Sequence, residues 1–153
     1  MKIMEMLKQE FILGDLKATS KRDVLAELTG VFAKKDGAFD PGAMLRVLLE
    51  REQLGSTGIG DGIAIPHGKL AGLDEMVIAF GRSRGGVAFE ALDGKPVHLF
   101  FLLAAPENSA GRHLKALAKI SRMVKDGVFR KNLLGAKTHD DFGRIIAQKD
   151  DEC

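Results

Sequence analysis

The stretch Gly55-Ser56-Thr57-Gly58-Ile59-Gly60-Asp61-Gly62-Ile63-Ala64-Ile65-Pro66-His67-Gly68-Lys69 separates two helical segments from a run of strands. Gly55, Gly58, Gly60 and Gly62 put four glycines into eight positions, too many for a stable helix and well suited to a tight backbone path. Ile63-Ala64-Ile65 reads as a short strand, and Pro66 holds Ile65 extended and ends it. His67 therefore stands just past a strand end. Pro66 sets its approach, and Gly68 is expected to leave the imidazole open on one side.

Toward the N-terminus, Phe11-Ile12-Leu13 followed by Gly14-Asp15 predicts a short strand and turn. Ser20 to Asp23 has the form of a capping box, and Val24, Leu28, Val31 and Phe32 follow at helical spacing up to a stop at Asp36-Gly37. Asp40-Pro41 starts a second helix, cap then proline, with Met44, Leu45, Leu48 and Leu49 inward and an end near Leu54-Gly55. Toward the C-terminus, Met76 to Phe80 predicts a strand. Val87 to Leu92, Asp93-Gly94 and Pro96 to Ala104 predict a hairpin whose second arm is buried on both faces. Pro106 to Ser109 breaks that arm and caps a helix with Leu114, Leu117, Ala118, Ser121 and Val124 inward. Gly127 to Leu134 and Thr138 to Ala147 are further helices, and Lys149 to Cys153 is expected to fray. With no repeat, linker or low-complexity segment, residues 1–153 read as a single α/β domain with helices on both faces of a small sheet.

Composition narrows the function. The 153 residues can close a real core, and 45% apolar with 29% charged residues is the balance of a folded globular chain. Lys plus Arg number 23 against 21 Asp plus Glu, too even for a nucleic-acid partner, which needs clustered cations. Cys153 is the single cysteine, so no internal disulfide and no zinc cluster is expected and a reducing cytoplasm suits the chain. Lys2, Glu5, Lys8 and Glu10 interrupt the N-terminal stretch, which excludes a signal peptide there, and the longest apolar run, Leu99 to Pro106, is too short for membrane insertion.

Two glycine patterns invite a nucleotide and fail on context. Gly58-x-Gly60-x-Gly62 follows a helix and leads into a strand, the reverse of a dinucleotide loop. Gly62 to Lys69 has five residues between its glycines where a P-loop has four, and Leu70 stands where the magnesium-binding hydroxyl belongs. His67 remains. A neutral imidazole is a competent nucleophile toward phosphorus, and phosphoryl transfer then asks mainly for positioning and donors to the phosphoryl oxygens. Arg51, the glycine-loop amides and the Ser56 and Thr57 hydroxyls are the candidate donors. His113, four residues after Ser109, falls in a first helical turn that favours a neutral ring and an incoming anion. Spacing alone balances that role against a solvated polar residue. His98 interrupts an apolar strand and reads as structural, and His139 as a helix-start residue facing water.

Arg51 to Gly60, running on through Ile63 to Lys69, resembles the enzyme IIA domain of the bacterial sugar phosphotransferase system, fructose/mannitol class, and most nearly its nitrogen-regulatory (PtsN-type) branch. Gly111-Arg112-His113-Leu114 with Leu117 to Ser121 matches independently. The resemblance implies a three-layer α/β/α fold with a small mixed β-sheet flanked by helices on both faces. It implies that His67 is the phosphoryl acceptor through Nε2 (a tele-phosphohistidine), that His113 stabilises the phosphoryl group and that Arg51 contacts it. Asp61 falls where members carry an acidic or amide residue, and Ser56, Thr57, Gly58 and Gly68 support the site. A nitrogen-branch HPr-type phosphocarrier is the implied donor, with no metal and no organic cofactor.

The leading expectation is thus a stoichiometric phosphohistidine intermediate that regulates partners, such as transporters or sensor kinases, by its phosphorylation state. The absence of a channel-like or IIB-like segment favours this over a sugar-transport IIA component passing phosphate to a IIB domain. A non-catalytic regulatory binding module would have no need of two imidazoles and Arg51, and a metal-dependent hydrolase lacks an HxH, an HExxH or an acidic cluster beside His67. The reading requires the rings at 67 and 113 to lie within reach of one phosphoryl group, with the first open to solvent.

Overall fold

A computed structural model describes residues 1–35 and 39–153. The stop expected at Asp36-Gly37 lies outside the described residues. The chain order is β1 (Ile12–Leu13), α1 (Lys21–Gly30), α2 (Pro41–Gln53), β2 (Gly58–Gly60), β3 (Ile63–Ala64), β4 (His67–Leu70), β5 (Val77–Val87), β6 (Val97–Pro106), α3 (Ala110–Val124), α4 (Gly127–Gly135) and α5 (His139–Glu152). Single turns of 3-10 helix at Ile3–Glu5, Gln9–Phe11 and Val31–Lys34 complete it. Among the described residues, no helix is long and apolar enough to cross a membrane.

The sheet is built on β6, nearly every residue of which is buried, as its apolar run from Leu99 to Pro106 predicts. It pairs antiparallel with β5, Ile78 opposite Leu103 and Phe80 opposite Phe101. On its other side β3 and then β4 lie parallel to it, with Ala64 opposite Phe100 and His67 opposite Leu103. The break between these two short strands falls at Ile65-Pro66, where proline has no N–H to give a ladder. β1 adds to β5 in parallel and β2 to β3 antiparallel, giving a mixed six-stranded sheet in the order β1-β5-β6-β3-β2, with β4 also on β6.

Alternating side chains of the central strands point into two separate helical layers. Phe101 meets Phe80 and Phe129 of α4, and Phe80 meets Phe142 of α5. Phe100, pointing the other way, meets Phe89, over whose ring Lys21 of α1 lies. The architecture is three-layer α/β/α, with α1 and α2 on one face and α3, α4 and α5 on the other. Ser20 Oγ accepts from Asp23 N, one half of the capping box expected there, and Asp40 Oδ1 accepts from Ala43 N as expected, while Thr138 and Asp141 form a reciprocal capping box at α5.

Three expectations are corrected. The hairpin's first arm is Val77–Val87, and residues 88–96 form its loop. The run Gly81-Arg82-Ser83-Arg84-Gly85-Gly86 looks like a turn, yet Arg82 is buried inside the strand because its guanidinium donates to the carbonyls of Gly14, Leu134 and Ala136. The inward face of α3 is His113, Ala116, Lys119, Ile120, Met123 and Val124, and Leu114 is 66% exposed. Finally, Lys149 to Glu152 stays helical, because Asp150 is buried and Lys149 pairs with Asp126 of the α4 cap at 2.8 Å.

Candidate active site

His67 opens β4 and is half-buried, less open than the sequence led us to expect. Its Nδ1 lies 2.8 Å from the Ile65 carbonyl oxygen. A carbonyl can only accept, so Nδ1 carries the hydrogen and Nε2 keeps its lone pair. Burial lowers the His67 pKa first of all; the Ile65 hydrogen bond opposes this, the Arg51 charge adds to it and the Glu52 charge opposes it. The ring is therefore neutral at pH 7 and nucleophilic at one nitrogen.

His113 sits in the first turn of α3, its N–H bonded to the Ser109 carbonyl at 2.8 Å. The two rings come together, centroids 5.5 Å apart and planes at 61°. His113 is buried, and its Nδ1 has no hydrogen-bond partner among the described residues. A buried polar atom left unpaired calls for an explanation. Burial, then the charges of His67 and Lys69, lower the His113 pKa, so this ring is neutral too. Ser109 does not cap with its side chain; its hydroxyl donates to the Pro106 carbonyl at 2.6 Å.

Arg51, in the last turn of α2, donates to the Gly55 carbonyl at 2.9 Å while its charge acts on His67. The other candidates are engaged within the loop. Ser56 Oγ donates to the Phe89 carbonyl and accepts from Gly58 N, both at 3.0 Å. Thr57 Oγ1 donates to the Glu52 carboxylate. A Cβ on Gly58 would stand 2.8 Å from that of Ala91. Asp61 is exposed between Gly60 and Gly62, all three at positive φ, and its N–H donates to Asp93 at 3.2 Å. Gly68 serves packing: a Cβ there would meet Val47 Cγ1 of α2 at 2.6 Å. His98 is satisfied by the Ser83 carbonyl at 2.9 Å, and His139, although exposed, donates through Nε2 to the Gln9 carbonyl at 2.7 Å.

Sequence reasoning missed Glu52 and Lys69. Glu52 continues the buried stripe of Met44 and Leu48 at four-residue steps, a legible signal that a carboxylate is being taken inside. Lys69 follows His67 by two residues on β4, the spacing that returns a side chain to the same face. Among the described residues, no group of three His, Cys, Asp or Glu side chains gathers as metal ligands would.

A family model described as the phosphoenolpyruvate-dependent sugar phosphotransferase system, EIIA 2, matches residues 5–149. The chain is 43% identical over 147 residues to a nitrogen regulatory protein of Bradyrhizobium diazoefficiens, covering 96% of this chain and 95% of that one. It is 42% identical over 150 residues to the fructose-specific EIIABC component of Bacillus subtilis, where 98% of this chain spans only 24% of the longer protein. In three dimensions it is similar to the crystal structure of the nitrogen regulatory protein IIA-Ntr from Neisseria meningitidis, with a TM-score of 0.86 and 35% identity over 93% of this chain and 97% of that one. The chain belongs to the EIIA 2 family of the phosphoenolpyruvate-dependent sugar phosphotransferase system, and within it resembles the nitrogen-regulatory, PtsN-type IIA proteins.

Proposed function

We propose that this phosphotransfer component carries a phosphoryl group on Nε2 of His67, accepted from an HPr-type carrier of the nitrogen branch, and regulates partner proteins by whether the group is present. The observation that carries this is the pairing of an imidazole locked with Nδ1–H on a carbonyl with a second neutral imidazole 5.5 Å away, centroid to centroid. The Nε2 lone pair of His67 attacks the phosphorus of the donor's phosphohistidine. A P–N bond forms as the donor's P–N bond breaks, and the donor imidazole leaves with that electron pair. The His67 ring takes on positive character, which its Nδ1–H···O=C bond to Ile65 supports. His113 and Arg51 donate to the phosphoryl oxygens.

A new dianionic group on this surface alters which partner it accepts by charge and desolvation. The likeness to a fructose-specific component favours one second reading, transfer onward to a sugar-specific IIB domain.

Incubation with a phosphorylated HPr-type carrier is expected to give an acid-labile, alkali-stable gain of one phosphoryl mass. His67→Ala should abolish it with the fold kept, and His113→Ala should slow it by roughly ten- to a thousandfold. Equal uptake by wild type and His67→Ala would overturn the assignment. Efficient discharge to a fructose- or mannitol-type IIB domain would replace the regulatory role with the transport one.

A further inference from the structure

A buried carboxylate lies behind the acceptor histidine, one residue from Arg51, and its contacts form a continuous path to the imidazole. Glu52 is 9% exposed at the end of α2. Its carboxylate accepts from the Thr57 N–H at 3.1 Å and from the Thr57 hydroxyl. Lys21 of α1 pairs with it at 3.0 Å, its Nζ also lying 4.8 Å from the Phe89 ring centroid. Thr57, thus fixed at both its amide and its side chain, offers its carbonyl to the Ile65 N–H at 3.0 Å. Ile65, fixed at its own amide, offers its carbonyl to His67 Nδ1 at 2.8 Å.

We infer that Glu52 is a positioning residue for phosphoryl transfer: through Thr57 and the Ile65 peptide it holds the His67 ring in the Nδ1–H form and aims Nε2 outward. The inference rests on His67 being the phosphoryl acceptor. It assigns Glu52 no contact with the phosphoryl group.

Three physical points carry it. First, burying a carboxylate beside the site costs free energy unless its oxygens are satisfied. Two donors from one threonine and a lysine from a separate helix satisfy them, so the cost is met, and both hydrogen bonds fall on residue 57. Second, Thr57 belongs to the glycine-rich loop, whose backbone is otherwise free to choose among many conformations. A charged acceptor gripping both the N–H and the hydroxyl of a single residue is what fixes such a loop in one register. Third, the Ile65–Pro66 peptide sits in the gap between β3 and β4. Pro66 has no N–H, so the Ile65 carbonyl is aimed by the Thr57 hydrogen bond on one side and the Leu103 N–H to the Pro66 carbonyl, 2.9 Å, on the other. Losing the first leaves the carbonyl that selects the tautomer free to turn.

The test reads the tautomer without any phosphate present. Histidine ring nitrogen-15 NMR of the whole chain near pH 7.5 should show His67 in wild type as the Nδ1–H, bare-Nε2 form. In Glu52→Ala the nitrogen shifts of His67 should move toward a tautomer mixture. Its rate of phosphorylation by the HPr-type carrier should fall roughly ten- to a hundredfold, as the limiting single-turnover rate constant, with the half-saturating carrier concentration kept because Glu52 is buried. Glu52→Gln still offers an acceptor to the Thr57 amide and should recover part of both signals. Thr57→Val keeps the side-chain volume and should move both in the same direction by a smaller factor, so the question stays answerable if Glu52→Ala does not fold.

An unchanged His67 tautomer in every folded variant would overturn the inference, as would a lost rate with wild-type ring shifts. The underlying reading fails by a different result, phosphate uptake by His67→Ala.

Discussion

Burial, before any charge, sets the protonation of both site histidines. Their folded pKa values lie below the ordinary 6.5, so between that value and the folded ones the unfolded chain binds more protons than the folded chain. Stability then rises with pH across this window: fully present above about pH 6.5, it is lost as the pH falls through the folded pKa values. Urea midpoints taken from pH 8 downward should hold level to about 6.5 and then decline, and the double variant His67→Ala, His113→Ala should decline less. Phosphorylation of the wild type should stay level past the ordinary imidazole midpoint, since His67, the proposed nucleophile, is still neutral there. A rate halved near 6.5 would show that the pocket leaves His67 unshifted. The local motif made this histidine legible, because proline, histidine and glycine act on one another along the chain. Glu52 was not legible in the same way: its partners are Lys21, more than thirty positions away, and Thr57 across a turn, and such pairings exist only after folding. Its position on the stripe of Met44 and Leu48 was the available clue.

Elements carry the site by how closely they pack, and Gly68 shows how closely. In the sequence it reads as space left beside the imidazole; in the fold the absent side chain is space taken by α2. A Cβ would lie 2.6 Å from Val47 Cγ1 and 3.3 Å from Met44 Cε, and Val47 is branched, so it yields poorly. Gly68→Ala should lower stability by about 1–3 kcal/mol, the ordinary cost of overpacking. It should also push α2 away from β4 and with it Arg51, slowing phosphoryl transfer. Adding Val47→Ala removes the clashing methyl and should return part of both losses, so chemical melts of the two single variants and the double give a coupling energy. Strict additivity would show that the two side chains do not meet. The same dependence on packing explains the misread elements. The first hairpin arm was hidden because Gly81 to Gly86 has the composition of a turn, and only the carbonyls around Arg82 reveal why a charged residue belongs in a central strand. The face of α3 was misread because it carries His113 and Lys119 inward with Leu114 outward, inverting the polarity that a periodicity reading relies on.

At the scale of the whole molecule, α3 links the site to the far end of the chain. Two turns beyond His113, Lys119 Nζ lies 2.5 Å from Asp150 Oδ1 of α5 and donates to the Met1 carbonyl. Asp150 Oδ2 accepts from the Met4 N–H at 3.0 Å, and Lys2 pairs with Asp151 at 2.7 Å. The first residues of the chain are thereby strapped across α3 and α5, with Ile3 beneath them fully buried. Asp150 closes the stripe of Phe142 and Ile146 at four-residue steps, as Glu52 closes that of Met44 and Leu48. In both helices a carboxylate at the end of an apolar stripe is taken inside to meet a lysine from another helix. The side chains of Lys119 and Asp150 are 7% and 1% exposed, so removing one partner strands the other in low dielectric. Asp150→Ala should therefore cost roughly 3–5 kcal/mol, whereas the pair Lys119→Met, Asp150→Leu, which removes both charges, should cost much less. The loss should be regional before it is global. Hydrogen exchange in Asp150→Ala is expected to quicken in residues 1–7 and α5 together, while β5 and β6, the centre of the sheet, keep their protection. Uniform quickening across β5 and β6 would mean instead that the strap and the sheet open as one unit, and that this ion pair guards the whole fold.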